Sequence, residues 1–272
     1  MSRMGRSTLA GAICLLGVLA GCSDTSSPAT GQIVVQLTDA PADNIQSATV
    51  WVSSVYLIGG AAENGPRFTV TSTPQEYDLL TLANGVTAAL GTATIPTGSY
   101  TQMRFVVDSA RIELKAGFTF SDGTSIRMLQ TPSAQQTGIK VNFSAPVTIT
   151  PGQTVLVVEF DVARNFVFTG PPSNPIGALF TPVLHASVRD VAGSIAGTVT
   201  PANSKARLYA ILGTDTVTSA LADTVTGAYK LWFLPPGSYT VGAAATGFQT
   251  QSKSATVAEA QAVTGVDFTL TP

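Results

Sequence analysis

Cysteine and histidine are almost absent from this sequence of 272 residues. The two cysteines, Cys14 and Cys22, lie close to the N-terminus, and residues 23–272 contain none. That long segment therefore has neither a disulfide nor a thiolate metal ligand. Because His185 is the single histidine and residues 23–272 have no thiol, a zinc site of the usual type and a histidine-based triad with a cysteine nucleophile have too few members.

Charged side chains are also scarce, at 11% of the residues, and the formal net charge is -2. A chain without a basic field does not attract nucleic acid, so we expect no nucleic-acid partner. Hydrophobic residues, in contrast, make up 44% of the chain. That share is sufficient for a folded core and argues against disorder.

Common reaction motifs are missing as well. The sequence has no G-x-S-x-G turn, no S-x-x-K, no H-E-x-x-H and no phosphate-binding P-loop. We therefore predict that the protein is not an enzyme.

The N-terminus carries a short apolar segment. Two arginines, Arg3 and Arg6, precede an apolar run from Ser7 to Gly21 that ends in small residues, as a secretory signal does. The run is too short to cross a bilayer, which takes about 20 apolar residues as a helix. Its end, Leu19-Ala20-Gly21-Cys22, resembles a bacterial lipobox, which implies that residues 1–21 are a lipoprotein signal peptide.

The lipobox resemblance also implies a membrane anchor at Cys22. It implies diacylglyceryl transfer to the sulfur, cleavage before this residue and acylation of the new amino terminus. Two or more acyl chains hold a protein firmly to a membrane, whereas one does not. Ser23, rather than Asp, follows the cysteine, which favours the outer membrane. We therefore expect a lipid-anchored protein of the cell envelope.

The rest of the chain divides into a tether and two domains. Residues 22–30 are rich in Ser, Thr, Ala and Pro and predict a flexible tether. From residue 31 onward, apolar residues recur with a period of two, as in half-buried strands. The pattern breaks near Asp190–Gly193 and then restarts. We predict an all-β protein with one β-sandwich over residues 31–190 and a smaller one over 191–272.

One segment shows the strand period clearly. Leu156, Val158 and Phe160 fall on one face, whereas Glu159 and Asp161 fall on the other. The single helical candidate is residues 77–83, which is too short to be stable without packing.

Two turns resemble each other, P-T-G-S-Y-T at residues 96–101 and P-P-G-S-Y-T at 235–240. Proline sets φ, and glycine accepts a conformation that other residues avoid. We predict that Tyr100 and Tyr239 each bury the ring and bond the hydroxyl to nearby backbone, as in the tyrosine corner of immunoglobulin-type sandwiches.

Four segments carry a family resemblance in the first domain: Leu37–Asp43 (LTDAPAD), Asp78–Leu82, Gln136–Lys140 and Glu159–Arg164. With them, residues 31–190 resemble a domain-of-unknown-function family found in bacterial lipoproteins. The family usually has Ser after the last segment, where this chain has Asn165. Because the family has no established activity, the resemblance implies no chemistry.

Another set of segments lies in the second domain: Gly193–Val199, Gly227–Tyr229, Leu234–Tyr239 and Gly247–Phe248. Together they resemble the carboxypeptidase regulatory-like domain, a transthyretin-like β-sandwich. That resemblance implies an accessory stalk, spacer or sugar-binding relative without catalytic residues.

Carboxylates are the remaining candidates for a site. Asp39 and Asp43 follow the first predicted strand, and Asp161 ends another. If these ends meet, their oxygens form a Ca²⁺ site, since Ca²⁺ takes 6–8 oxygen ligands. The structural alternative is that Asp39 accepts backbone N–H groups in a turn and Asp161 pairs with Arg164 or Lys140. A third interpretation is glycoside hydrolysis, which needs paired carboxylates in a cleft.

Aromatic residues leave a further alternative open. Trp51 and Trp232 would bind sugars if their faces were exposed, but both have apolar neighbours, which favours packing in a core or between domains. His185 is opposite in phase to Leu184 and Ala186, so we expect it on the wetter face of a strand.

These observations predict a lipid-anchored envelope protein with a non-catalytic role in binding, adhesion or scaffolding. The membrane is a partner through the anchor, and the second partner is a protein or polysaccharide of the envelope. Glycan binding is the alternative function, and a carboxylate-based hydrolase is the third. Apart from Ca²⁺, no cofactor is expected.

Overall fold

The computed structural model describes residues 28–60, 65–129, 131, 137–171 and 173–272, apart from the side chain of Asn142. The signal segment, Cys22 and Gln136 lie outside the described residues. The described chain is built from strands with one short α-helix, which confirms the all-β fold class. None of its helices is long and apolar enough to span a membrane.

Thirteen strands and the helix form the first domain. Their bounds are β1 Thr30–Thr38, β2 Ile45–Gly59, β3 Arg67–Thr71, β4 Gln75–Asp78, β5 Ala88–Pro96, β6 Gly98–Leu114, β7 Ile126–Leu129, β8 Ile139–Phe143, β9 Val147–Ile149, β10 Gln153–Glu159, α1 Val162–Asn165, β11 Phe166–Thr169, β12 Gly177–Phe180 and β13 Leu184–Val188.

Eleven of these strands form one sheet in the order β3-β2-β6-β8-β13-β10-β1-β5, with β4 on β2 and with β7 and β9 on β6. β11 and β12 pair separately as a hairpin. The large sheet curls until its end strands meet. At the contact, a Cβ placed on Gly91 of β5 would lie 2.9 Å from the Cβ of Thr71 in β3.

The core of the first domain lies inside this curled sheet. Leu156, Val158 and Phe160 of β10 are fully buried in it, as are Ile33 and Val35 of β1. The period of two thus identified the core face of both strands.

Residues 193–270 form a second body with its own core. Its strands are β14 Gly193–Thr200, β15 Arg207–Leu212, β16 Asp215–Leu221, β17 Ala228–Leu234, β18 Gly237–Ala244, β19 Gln251–Val257, β20 Ala262–Val263 and β21 Phe268–Thr269. They form two four-stranded sheets, β17-β14-β20 with β21 on β14, and β16-β15-β18-β19. Four residues, 189–192, connect β13 to β14. This short connection keeps the two bodies close together.

Both predicted tyrosine corners are present. The hydroxyl of Tyr100 donates to the carbonyl of Pro96 at 2.8 Å, and that of Tyr239 donates to the carbonyl of Pro235 at 2.6 Å. Both side chains are buried. The hydroxyl therefore fixes the turn while the ring fills the core, and the prediction is confirmed.

The prediction of a helix over residues 77–83 is wrong in its extent and in the type of helix. Strand β4 continues to Asp78, and only Leu79–Leu82 form a turn of 3₁₀-helix. The side chain of Asp78 caps this turn by accepting from the N–H of Leu80 at 3.3 Å. Leucines buried in the first core produced the helix-like spacing.

Candidate functional site at the domain junction

The carboxyl ends of two adjacent strands bring three acidic residues together. Strands β1 and β10 are parallel, with Thr38 opposite Glu159, so Asp39 and Asp161 follow at the same edge. Asp39, Glu159 and Asp161 are 4%, 8% and 4% exposed. Carboxylates are seldom buried this deeply without partners, so this cluster is the leading candidate site in the first domain.

Asp39 links the end of β1 to helix α1. Its Oδ1 atom accepts a hydrogen bond from the N–H of Val162 at 2.9 Å. Burial raises the pKa of the Asp39 carboxyl well above its usual range, and the negative charge of Glu159 adds to the rise. This bond joins Asp39 to another element, and a second backbone hydrogen bond, from the adjacent Ala40, agrees with the local contact expected from the sequence.

Asp161 connects the first domain to the second. Its Oδ1 atom accepts from the hydroxyl of Ser219 in β16 at 3.2 Å. Its backbone has φ +44°, a left-handed conformation at the start of α1. Burial raises the pKa of Asp161, while Arg164 and Arg207 act to lower it.

Glu159 and His185 are opposite each other in β10 and β13. Burial raises the pKa of Glu159 to about 8, the charge of Asp161 adds to the rise, and the Thr218 hydroxyl opposes it. Burial lowers the pKa of His185, and so does Arg164. His185 has the expected phase and is half-buried between the buried Leu184 and Ala186, and residues of the second domain line the same cleft.

Two arginines complete the junction. Arg207 of β15 donates to the carbonyl of Pro41 at 2.8 Å and to Oδ2 of Asp43 at 3.1 Å. In the opposite direction, Arg164 donates to the carbonyl of Thr216 at 2.5 Å. Each domain therefore supplies an arginine to the backbone of the other.

The three aspartates expected around Ca²⁺ do not share one site. Asp39 and Asp161 come together as the calcium interpretation required, but Asp43 pairs with Arg207. Across the part of the chain that the structure describes, no group of three His, Cys, Asp or Glu side chains is arranged to hold a metal ion.

Trp232 packs at the same junction. A Cβ placed on Gly85 of the first domain would lie 2.8 Å from the indole ring, and the Lys230 ammonium lies 3.5 Å from the ring centroid. These contacts occupy the ring and leave it poorly suited as a platform for sugars. Trp51, in β2, is covered by the guanidinium of Arg111 at 5.6 Å.

Backbone strain also concentrates here. Asn84, Asp161 and Phe233 have φ of +61°, +44° and +52°, and all three lie at the junction. A bulky residue such as Phe in this region costs on the order of 1–3 kcal/mol and persists only where its surroundings enforce it. Phe233 lines a small cleft of ≈ 80 Å³ between the domains, with Glu159 and His185 opposite.

Sequence reasoning missed the second half of this site. It placed Glu159 and Asp161 on the outer face of β10, but it had no signal that Ser219, Thr218 and Arg207 would cover that face. Period and motif describe single strands, whereas this contact joins residues about 60 positions apart across two domains.

A second surface feature lies away from the junction. Six large apolar side chains, each between 44% and 63% exposed, surround β7 and the β11–β12 hairpin: Phe118, Ile126, Met128, Val167, Ile176 and Leu179. We call this set the apolar face. Phe118 lines a cavity of ≈ 510 Å³, and Met128, Ile176 and Leu179 line another of ≈ 440 Å³.

Residues 30–174 match the family described as Domain of unknown function (DUF4382). The chain belongs to this family. The match confirms that the first domain has relatives of unknown function. It ends before β13, although β13 is a central strand of the DUF4382 domain's sheet.

Solved structures resemble the chain only loosely. They include the Bacillus anthracis TIE protein (11% identity, TM-score 0.26, 89% of this chain and 34% of that one). A second is GBS52, the minor pilin of Streptococcus agalactiae, at 10% identity and a TM-score of 0.23, covering 90% of this chain and 97% of that one. A third is BcpA, the major pilin of Bacillus cereus, at 12% identity and a TM-score of 0.23, covering 89% of this chain and 69% of that one. The chain spans about a third of the TIE protein. At these TM-scores the likeness carries no functional argument. No curated protein matches the sequence.

Proposed function

We propose that this DUF4382 protein is a lipid-anchored, non-catalytic binding protein of the cell envelope that presents its apolar face to a protein partner. One observation carries the proposal: a large apolar surface lies at the end of the domain remote from the tether. Contiguous exposed apolar patches of this kind mark interaction sites on soluble domains.

The long strand β6 separates the tether from the apolar face. At the start of β6, the N–H of Thr97 donates to the carbonyl of Ala29, where the tether enters the fold. At its other end, β7 pairs with residues 110–113. The 12 to 15 steps of strand from Gly98 to residues 110–113 span at most roughly 50 Å. A partner protein is therefore a nearer neighbour of this face than the membrane that holds Cys22.

The chemistry of the face suits an apolar partner. Arg127, which lies between Ile126 and Met128 in β7, is already paired with Asp122 at 2.9 Å. Val167 and Leu179 stand opposite each other on the exposed side of the hairpin. Burying such side chains contributes about 25 cal/mol per Å² of apolar area.

The non-catalytic part of the proposal is supported by how the acidic residues are used. Asp39 and Asp161, the candidates for carboxylate chemistry, accept hydrogen bonds that hold α1 and the second domain in place. A hydrolase would need paired carboxylates open to substrate.

Site-specific photo-crosslinking in intact cells tests the partner. A photoreactive amino acid at Leu179 is expected to give one adduct of defined mass, whereas the same group at Val225, which is 85% exposed in the second domain, gives none. Equal adduct patterns at both positions would contradict the proposal. A glycan array with residues 23–272 separates the alternative, because specific sugar binding there would favour the glycan-binding function.

Fractionation tests the anchor. Wild-type protein is expected in the membrane fraction with an acylated N-terminal peptide, and Cys22→Ser is expected to remain uncleaved and without lipid. An unmodified thiol at Cys22 in the wild type would exclude lipid anchoring.

A further inference from the structure

The surfaces that meet at the junction bury several polar atoms that lack a hydrogen-bond partner. Four buried atoms there have no hydrogen-bond partner among the described residues: Oδ2 of Asp39, Oε1 of Glu159, Oδ2 of Asp161 and Nε2 of His185. An ionised carboxylate without a partner is costly to bury, whereas a protonated carboxyl is neutral and can donate a hydrogen bond. The cluster therefore favours protonated carboxyls.

We propose that the junction is a pH-sensitive contact that holds the two domains together while Glu159 carries a proton and weakens when Glu159 ionises. Glu159 occupies the central position, since it lines both small cavities between the domains together with Thr218 of β16. Ionisation would place a negative charge directly against the second domain.

Charged and titratable groups lie around Glu159 and its neighbours Asp161 and His185 on every element of the junction: Asp39 after β1, Asp161 after β10, Arg164 in α1, His185 in β13, Arg207 in β15, Asp215 in β16 and Lys230 in β17. The two arginines favour the charged form of Asp161. Glu159 instead has the charge of Asp161 against it. Asp39 has the charges of Glu159 and Asp161 against it as well, so ionisation of both Asp39 and Glu159 is disfavoured, and Glu159 is the one that lines both cavities.

The direction of the pH effect follows from the raised pKa. A free glutamate has a pKa of 4.5, and burial raises that of Glu159 to about 8. The docked state binds this proton more tightly, so its advantage is complete below about pH 4.5 and is lost progressively as the pH rises to about 8. Because the pKa of His185 is lowered, protonation of its imidazole opposes docking, and this effect is confined to acidic pH. Weakening between pH 6 and pH 9 therefore reports on the buried carboxyls of the junction, and the Glu159→Gln variant isolates the contribution of Glu159.

The test is thermal unfolding of residues 23–272, which include every described residue, between pH 6 and pH 9. The wild-type melting temperature is expected to fall by roughly 5 °C or more. Glu159→Gln, a neutral mimic of the protonated side chain, should flatten the profile and melt above the wild type at pH 9. The control Glu76→Gln, at an exposed position in β4, should follow the wild type. A wild-type slope in Glu159→Gln would overturn the proposal.

A direct titration keeps the proposal testable if that variant does not fold. The chain has five glutamates, so carboxyl ¹³C signals of selectively labelled wild-type protein are few enough to follow individually. One signal, that of Glu159, is expected to titrate near pH 8. If all five titrate below pH 6, the proposal is wrong.

Discussion

At the scale of single residues, buried polar side chains connect separate elements of the fold. Asn165 is 1% exposed. Its amide nitrogen donates to the carbonyls of Phe160 and Val183, and its oxygen accepts from the N–H of Val183 at 3.0 Å. It thereby ties the end of β10 to the segment before β13. Sequence comparison with the family picked out this position only as a departure from Ser, because a hydrogen-bond network is not visible in a motif.

Asn165→Ala is expected to lower the free energy of unfolding by about 2–4 kcal/mol, because it leaves several buried backbone groups without partners. Denaturant unfolding of residues 23–272 measures this change. Asn174→Ala, at an exposed asparagine of the same domain, should change stability by less than about 0.5 kcal/mol. Equal effects of both substitutions would show that the Asn165 network is unimportant.

Metal removal is a second prediction at this scale. Since Asp43 is paired with Arg207 and not with the other two aspartates, EDTA is expected to leave the melting temperature unchanged, and added Ca²⁺ to leave it unchanged too. Calorimetry with each addition measures this. A Ca²⁺-dependent rise in melting temperature would restore the calcium interpretation, since a ligand that binds the folded state stabilises it.

At the scale of elements, the sequence predicted faces and turns better than it predicted helices. The period of two identified the core side of β10, and the P-x-G-S-Y-T pattern identified both tyrosine corners. These features depend on neighbours within a few residues. The helix expected at residues 77–83 failed because leucines three residues apart also suit a single 3₁₀ turn packed on a core.

Tyr239→Phe is expected to destabilise the second domain by about 1–2 kcal/mol, because the buried carbonyl of Pro235 loses its donor. The matched control is Tyr209→Phe, a half-buried tyrosine in β15, which should cost less. Chemical denaturation compares the two variants. If they are equally stable, the corner hydrogen bond is not a source of stability.

At the scale of the whole molecule, the sequence indicated a break near residue 190 but not the docking that follows it. A polar outer face of a strand normally predicts contact with water. Here the four-residue connection after β13 returns the chain so that β15 and β16 cover that face. The acidic site was therefore predictable as a set of residues but not as an interface.

Gly85→Ala tests this docking. At φ +83°, the new methyl group would lie 2.8 Å from the Trp232 ring, so the ring or the residues around Gly85 must shift, and we expect the contact between the domains to loosen. Calorimetry is expected to show two unfolding transitions in place of one. Gly123→Ala carries a similar φ of +79° in open space, and it should lower stability without splitting the transition. Identical traces for both variants would mean that the Gly85 contact does not couple the domains.

The most direct measurement uses the absence of cysteine after residue 22. Ser219→Cys places a single thiol at the junction, where the native side chain is 4% exposed, and Ser238→Cys places one at an exposed position of β18. At pH 7, we expect a maleimide to label Cys at position 219 at least roughly tenfold more slowly than at position 238, and Gly85→Ala to remove the difference. Equal labelling rates in the otherwise wild-type chain would contradict the buried junction.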